Sequence, residues 1–111
     1  MKKEIIGSKM ASLLLEIGAV KLQPHKPFKW ASGWNAPIYC DNRLTLSYPE
    51  IRNFVKESFI SIIKNKYSAI DAVAGVATAG IPQAALIADA MNLPLLYVRS
   101  KIKEHGMENL V

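Results

Sequence analysis

The chain has 111 residues, half of them hydrophobic, and 14 Lys and Arg against 9 Asp and Glu give a formal net charge of +5. That length bounds it to one domain and that apolar content excludes intrinsic disorder; six Gly and six Pro exclude a collagen-like or low-complexity chain. Cys40 is the single cysteine, which excludes an intrachain disulfide and an all-cysteine zinc site and makes a reduced, intracellular setting the expectation.

Met1-Lys2-Lys3 is basic like the start of a signal segment, but Glu4 and Lys9 place charges where such a segment would be apolar. No apolar run approaches the ~20 residues of a membrane span, so a cytoplasmic protein without a membrane partner is expected. Over residues 2–17, Ile6, Met10, Leu13, Leu14 and Ile17 recur at helical spacing and Gly18 stands at the C′ position, which predicts an amphipathic helix. Pro24 and Pro27 mark a loop. Residues 28–32 and 37–40 read as the two strands of a hairpin, with Ser32-Gly33-Trp34-Asn35 as its turn. Asp41, Asn42 and Arg43 can brace one another in a turn, and Cys40, in a strand, is expected to be buried rather than reactive.

Ser47-Tyr48-Pro49-Glu50 carries the S-x-x-E capping box with Pro in the first turn. Behind it Ile51, Phe54, Val55, Phe59, Ile62 and Ile63 share one helical face, opposite Arg52, Asn53, Lys56, Glu57 and Lys64. Residues 70–76 and 93–98 are apolar and β-prone, and residues 81–91 are apolar almost all round. Strand, helix, strand in about thirty residues predicts a βαβ unit with a right-handed crossover and a parallel sheet covered on both faces. Residues 99–111 are polar and supply no closing strand, so the sheet edge would stay open. The chain is expected to be the N-terminal part of a longer α/β domain, or to pair with other chain segments.

Three segments offer chemistry. Gly75-Val76-Ala77-Thr78-Ala79-Gly80 joins the predicted strand to the predicted helix. A glycine-framed turn at a helix N-terminus presents free N–H groups and the positive end of a dipole to an anion such as phosphate. Ile81-Pro82 replaces the Lys-Ser/Thr of a P-loop, which excludes a Walker ATPase; a purely structural βα turn remains the other reading. Next, Arg99, Lys101, Lys103 and His105 alternate, so that an extended segment would line one side with cations suited to polyphosphate or nucleic acid; a solvated loop is the alternative. Last, Phe28-Lys29-Trp30 and Trp34 place aromatics beside lysine, a pattern that stacks bases or simply packs. His25 reads as a loop residue. With only His25 and His105, far apart, no metal-ligand spacing occurs.

Together these segments resemble orotate phosphoribosyltransferase, in the family's order and over essentially the whole chain. Phe28-Lys29-Trp30-Ala31-Ser32-Gly33, then Pro37-Ile38-Tyr39-Cys40-Asp41-Asn42-Arg43-Leu44-Thr45, is similar to the family's N-terminal hood. Ala74-Gly75-Val76-Ala77-Thr78-Ala79-Gly80-Ile81 is similar to its pyrophosphate loop, and Tyr97-Val98-Arg99-Ser100-Lys101 through His105-Gly106 to its mobile catalytic loop, within which the chain ends. The resemblance implies a partial type I phosphoribosyltransferase fold: an α/β arrangement of N-terminal helix, hood hairpin and parallel βαβ unit. Residues 1–111 would be the N-terminal portion of one such domain.

The implied reaction is Mg²⁺-dependent: orotate and phosphoribosyl pyrophosphate (PRPP) give orotidine 5′-phosphate and pyrophosphate in pyrimidine (UMP) synthesis. The implied assembly is a homodimer whose active sites are completed across the interface. Arg99, Lys103 and His105 would contact the pyrophosphate, with Lys103 and His105 catalytic; Thr78 and Ala79 would offer backbone to the same group; Tyr39 and Cys40 would lie beside orotate. Some members carry lysine where Ala31 or Ser100 stands, and Tyr-Lys where Thr78-Ala79 stands. The family's PRPP motif has two adjacent acidic residues, and none of the nine acidic residues here adjoins another. The chain alone is therefore expected to hold no metal and to be inactive. A phosphoribosyltransferase for another base is a second reading, against which the hood argues. A basic nucleic-acid-binding module is a third, raised by the sequence pI of about 9.4.

Overall fold

An apolar stripe opens the structure. Helix α1 spans Lys3–Glu16, and Ile6 is buried while Met10, Leu13, Leu14 and the following Ile17 are half-buried, as the spacing predicts. The helix ends in a Schellman motif. Gly18 has φ of 76°, its N–H donates to the Leu15 carbonyl at 3.2 Å, and the Ala19 N–H reaches the Leu14 carbonyl at 2.9 Å. This computed structural model describes residues 3–23, 25, 28–29, 33, 35–99 and 101. The chain divides into two compact units, Met1–Val55 and Lys56–Val111, with the boundary inside a helix.

In the first unit the reversal at Gly18 leads directly into a strand that the sequence did not announce. Strand β1 (Val20–Leu22) pairs antiparallel with β4 (Ile38–Cys40), matching Val20 to Cys40, Lys21 to Tyr39 and Leu22 to Ile38. Two further bonds extend this ladder, Gln23 N–H to the Pro37 carbonyl at 2.6 Å and Asp41 N–H to the Ala19 carbonyl at 2.7 Å. Between them in sequence, β2 (Phe28–Lys29) pairs with β3 (Asn35–Ala36). The expected hairpin of residues 28–32 with 37–40 is thus corrected. The return strand is Asn35–Ala36, and Ile38–Cys40 turns to the chain leaving α1. The nested arrangement gives backbone partners to both segments, whereas the simple hairpin would leave Val20–Leu22 unpaired. Cys40 is exposed, against expectation, because β4 belongs to a two-stranded sheet.

A 3₁₀ helix over Asn42–Ser47 comes next, with Asp41 as its N-cap. Buried Thr45 turns its hydroxyl back to donate to the Asn42 carbonyl at 2.7 Å. Helix α2 (Pro49–Lys66) then starts one residue later than the capping box implies: Ser47 closes the 3₁₀ helix, and the Tyr48 carbonyl accepts from Arg52 N–H at 2.8 Å. The expected face of α2 is covered in part: Ile51, Phe54 and Ile63 on it are half-buried and Val55 is buried. Val55, Ser58 and Ile60 are buried, while Phe59 and Ile62 are exposed. The helix carries apolar residues on more than one stripe, so the pattern alone leaves its rotation undecided. Within the first unit, Lys9 Nζ sits 4.6 Å from the Phe54 ring centroid, a cation–π contact between α1 and the start of α2.

The second unit contains the βαβ element. Strand β5 (Val73–Val76) and strand β6 (Leu95–Val98) pair parallel, in the register Val73 to Leu95 through Val76 to Val98, joined by α3 (Ile81–Met91). Ala84, Ile87 and Ala88 are buried on α3. The helix is capped by Asn92 at φ 55°, with Leu93 N–H on the Ala88 carbonyl at 2.9 Å. The sheet is not covered on both faces. Gly75 faces α3, but Val76 is 64% and Leu96 45% exposed. Among the described residues of this unit one helix packs on the two strands, so one face is shielded.

Candidate functional site: the C-terminal edge of the parallel strands

Because β5 and β6 run parallel, their C-terminal ends lie side by side, the position at which open α/β sheets bind ligands. The turn between β5 and α3 is tied down there. Ala77 N–H donates to the Val98 carbonyl at 2.7 Å, Gly80 N–H to the Val76 carbonyl at 2.9 Å and Ile81 N–H to the Thr78 carbonyl at 3.2 Å. Pro82, in the first turn of α3, has no N–H. Among the described residues, the N–H groups of Thr78 and Ala79 donate to no protein acceptor. The turn therefore spends its other donors on its own shape and leaves these two open beside a helix N-terminus, the end of a helix that attracts negative charge.

Both framing glycines answer to close approach, not to a left-handed backbone. Gly80 has φ of −83°, and the described glycines with positive φ are Gly18 and Gly33. A Cβ on Gly75 would stand 2.7 Å from the Ala84 Cβ and 2.7 Å from the Gly80 carbonyl oxygen. A Cβ on Gly80 would stand 2.9 Å from the Val76 carbonyl oxygen. The glycines let strand, turn and helix meet closely enough to form the edge at all.

Arg99 comes directly after β6, and its guanidinium carbon lies 5.8 Å from the Tyr97 ring centroid. Tyr97 is paired with Gly75, so Arg99 leaves the sheet at the same end as the turn. The structure thus brings Thr78, Ala79 and Arg99 to one edge. Lys103 and His105 lie outside the described residues, as does Ala31. Tyr39 and Cys40 stand in the first unit, on β4, with their side chains exposed.

Past Cys40 lies an ion pair, Asp41 with Arg43. Arg43 Nε donates to Asp41 Oδ1 at 3.0 Å, and Arg43 N–H donates to the same oxygen at 3.1 Å. The side-chain bond from Arg43 holds the Asp41 carboxyl below the usual carboxylate range, and Asp41 raises the Arg43 guanidinium in turn. The sequence shows these residues bracing one another; that the brace caps a 3₁₀ helix is visible only in the structure. The Cys40 thiol donates to Asn42 Oδ1 at 3.2 Å and joins the same knot.

Comparison with known proteins places this geometry. No protein-family model matches the chain. Over 102 residues it is 62% identical to a protein of Cytophaga hutchinsonii named orotate phosphoribosyltransferase, a match covering 92% of this chain and 49% of that one. The chain resembles orotate phosphoribosyltransferases. A second relative of that name, from Bacteroides thetaiotaomicron, is 60% identical over 101 residues, 91% of this chain and 48% of its own length. The chain thus spans about half the length of the curated relatives it matches. Among solved structures, the orotate phosphoribosyltransferase of Aeropyrum pernix superposes with a TM-score of 0.72 at 33% identity, over 88% of this chain and 54% of that one. An adenine phosphoribosyl transferase of Trypanosoma brucei superposes with a TM-score of 0.63 at 19% identity, over 96% of this chain and 42% of its own, a likeness of fold alone. The architecture is that of part of a type I phosphoribosyltransferase, α/β, with an N-terminal helix, paired short strands and a parallel strand pair bridged by a helix.

Proposed function

We propose that the protein carrying this chain is an orotate phosphoribosyltransferase, transferring the phosphoribosyl group of PRPP to orotate in pyrimidine synthesis. Within it residues 1–111 would be the N-terminal portion of one domain. The observation that carries this reading is the strand edge where Thr78 and Ala79 keep unengaged N–H groups beside Arg99. The likeness to enzymes of that name selects orotate among the possible bases.

In the reaction, the bond from the ribose anomeric carbon to pyrophosphate oxygen breaks, a bond to an orotate ring nitrogen forms, and the proton of that N–H passes to the departing pyrophosphate. Pyrophosphate leaves with the electron pair, so negative charge grows on it in the transition state. Donors aimed at that group stabilise the transition state more than the bound substrate. Thr78 and Ala79 would supply main-chain N–H groups and Arg99 a fixed cation. Lys103 and His105, farther along the alternating row, would close over the pyrophosphate and exclude water. Tyr39 and Cys40 would flank orotate, and a homodimer in the cytoplasm would complete each site with the partner's loop.

Mg²⁺ belongs to this proposal as part of the substrate. The ion would arrive on the PRPP diphosphate; among the described residues no three His, Cys, Asp or Glu side chains converge. No nucleic-acid or membrane partner is proposed; among the described residues no helix is long and apolar enough to cross a membrane.

Two measurements test the reading. Orotate absorbance should fall when the intact protein receives PRPP and Mg²⁺; turnover with adenine and none with orotate would overturn the assignment of the base. Pyrophosphate added to labelled protein should shift the amide resonances of Thr78 and Ala79 and leave that of Gly7, in α1, in place. Unmoved resonances at both turn residues would remove the turn from the site.

A further inference from the structure

Helix α1 carries two stripes on opposite sides. Ile6, Met10, Leu13 and Leu14 form the one that is buried or half-buried. Ile5, Ser8, Ser12 and Leu15 form the other, whose centre lies about 200° around the helix from the first at 3.6 residues per turn. This second stripe is open. Ile5 is 58% and Leu15 55% exposed, Ser8 and Ser12 between them are exposed, and a shallow groove runs along Glu4, Ile5, Ser8, Lys9 and Ser12. A single exposed aliphatic side chain is ordinary; these two are joined by a spacing. The steps from Ile5 to Ser8, Ser12 and Leu15 are three, four and three residues, the alternation by which one helix meets another along a coiled-coil seam. Small side chains at the middle let two helix axes come close, and the aliphatic ones close both ends.

The charges beside the seam select its occupant. Glu4 borders it on one side and Lys9, five residues on, borders it on the other. In a parallel helix pair, residues so placed face each other across the seam and set partner and orientation. A second copy of this chain would therefore put Glu4 against the partner's Lys9, and by symmetry the same pair again. An antiparallel pair would instead bring the two copies of Lys9 together near its centre. Glu4 has no ion-pair partner among the described residues. Lys9 is already ordered by the Phe54 ring, 4.6 Å from its Nζ, which lowers the rotamer freedom it would lose in a new pair.

We infer that α1 is an interaction surface for α1 of a second copy, the two lying parallel about a two-fold axis and touching through Ile5, Ser8, Ser12 and Leu15. The inference is independent of the proposed reaction, which uses none of these residues. A helix of 14 residues offers two heptads, less than the roughly 800 Å² per partner of a standard interface. The contact is therefore weak by itself and weakens further with salt.

Disulfide trapping in the intact protein carrying Cys40→Ser tests it, with linked peptides identified by mass spectrometry. In a parallel pair the two copies of position 8 fall within the about 4.4–6.8 Å between Cα atoms that a disulfide spans. Ser8→Cys should link to its own copy, and Ser12→Cys to its own, faster than Gly7→Cys, an exposed α1 position off the seam. In an equal mixture of the Ser8→Cys and Ser12→Cys proteins, links between like positions should outnumber links between unlike ones. Added to Ser8→Cys, Ile5→Asp should abolish the link, and Glu4→Lys should slow it about 2- to 30-fold, the range for losing two exposed ion pairs. Lys9→Glu combined with Glu4→Lys should restore it. If Ile5→Asp does not fold, the charge exchange carries the test. Trapping of Ser8→Cys no faster than Gly7→Cys would overturn the inference, as would a majority of unlike links, which an antiparallel pair gives. So would a double exchange that links no better than Glu4→Lys alone.

Discussion

Replacing Gly75 by Ala adds one methyl group where β5 meets α3. The new carbon would lie 2.7 Å from the Ala84 Cβ and 2.7 Å from the Gly80 carbonyl oxygen. Carbon contacts are comfortable near 3.5–4.0 Å, so about 0.8–1.3 Å must be opened. Neither neighbour can swing aside. The Ala84 Cβ is fixed to the α3 backbone, and the Gly80 oxygen is backbone that also accepts from Ala84 N–H at 3.1 Å. Relief requires α3 to move as a body away from the strand. Overpacking of this kind costs about 1–3 kcal/mol, and backbone neighbours place it near the top, at about 3 kcal/mol. For a domain of this size each kcal/mol moves Tm by roughly 4–8 °C, so a fall of roughly 12–24 °C is expected. Thermal unfolding of the 111-residue chain followed by circular dichroism measures it. Gly7→Ala is the matched control: nothing lies within 4 Å of a Cβ there. It sits inside α1 and should gain about 0.5–1 kcal/mol from helix propensity. A Gly75→Ala variant melting within about 3 °C of the parent would refute the close strand–helix approach on which the turn geometry depends.

Asn92→Gly should raise Tm by a few degrees, since Asn92 holds φ of 55° at the α3 C-cap and glycine enters that region without penalty. The folded Asp41 carboxyl titrates below its ordinary value, chiefly through the Arg43 side-chain bond, so the pair's stabilisation is complete above the ordinary value and is lost as pH falls through the folded one. The difference in Tm between the parent and Asp41→Asn should accordingly shrink below about pH 4; a gap constant down to pH 2 would count against the ion pair as its source. In the proposed enzyme, Lys103→Ala should lower single-turnover rates on the order of 10²–10³-fold with a smaller change in PRPP affinity, as for loss of one oxyanion donor. His105→Ala should lose less, lacking a full charge at pH 7. Parent-like single-turnover rates for Lys103→Ala would exclude the loop from the chemistry.

What could be read from the sequence was what depends on neighbours in sequence. The α1 stripe, the Gly18 terminus and the βαβ succession all derive from spacing within a few turns, and each stands in the structure. The pairing of Val20–Leu22 with Ile38–Cys40 does not. Lys21 interrupts the apolar signal, the strands are three residues long, and the second hairpin nested between them hides their relation. The face of α2 was legible only in part for a different reason, since buried Ser58 and exposed Phe59 invert the usual preference. At the strand edge, the two glycines were legible but not their cause. They permit close contact, which needs the partner atoms to be seen. That Thr78 and Ala79 keep their N–H groups unengaged depends on where the neighbouring donors find acceptors across the turn and the sheet, which no sequence pattern carries.

The donors left open in that turn belong to the main chain, and this bears on how such an edge can change over generations. Any residue but proline supplies the same N–H at positions 78 and 79, so codons there can drift without removing the feature. The Thr-Ala pair of this chain and a Tyr-Lys pair would present the same two hydrogens and differ only in what their side chains add. Residues 75 and 80 have no such latitude, because there a single methyl group meets backbone. A saturation library across residues 75–80 should therefore be permissive in its middle and intolerant at its ends.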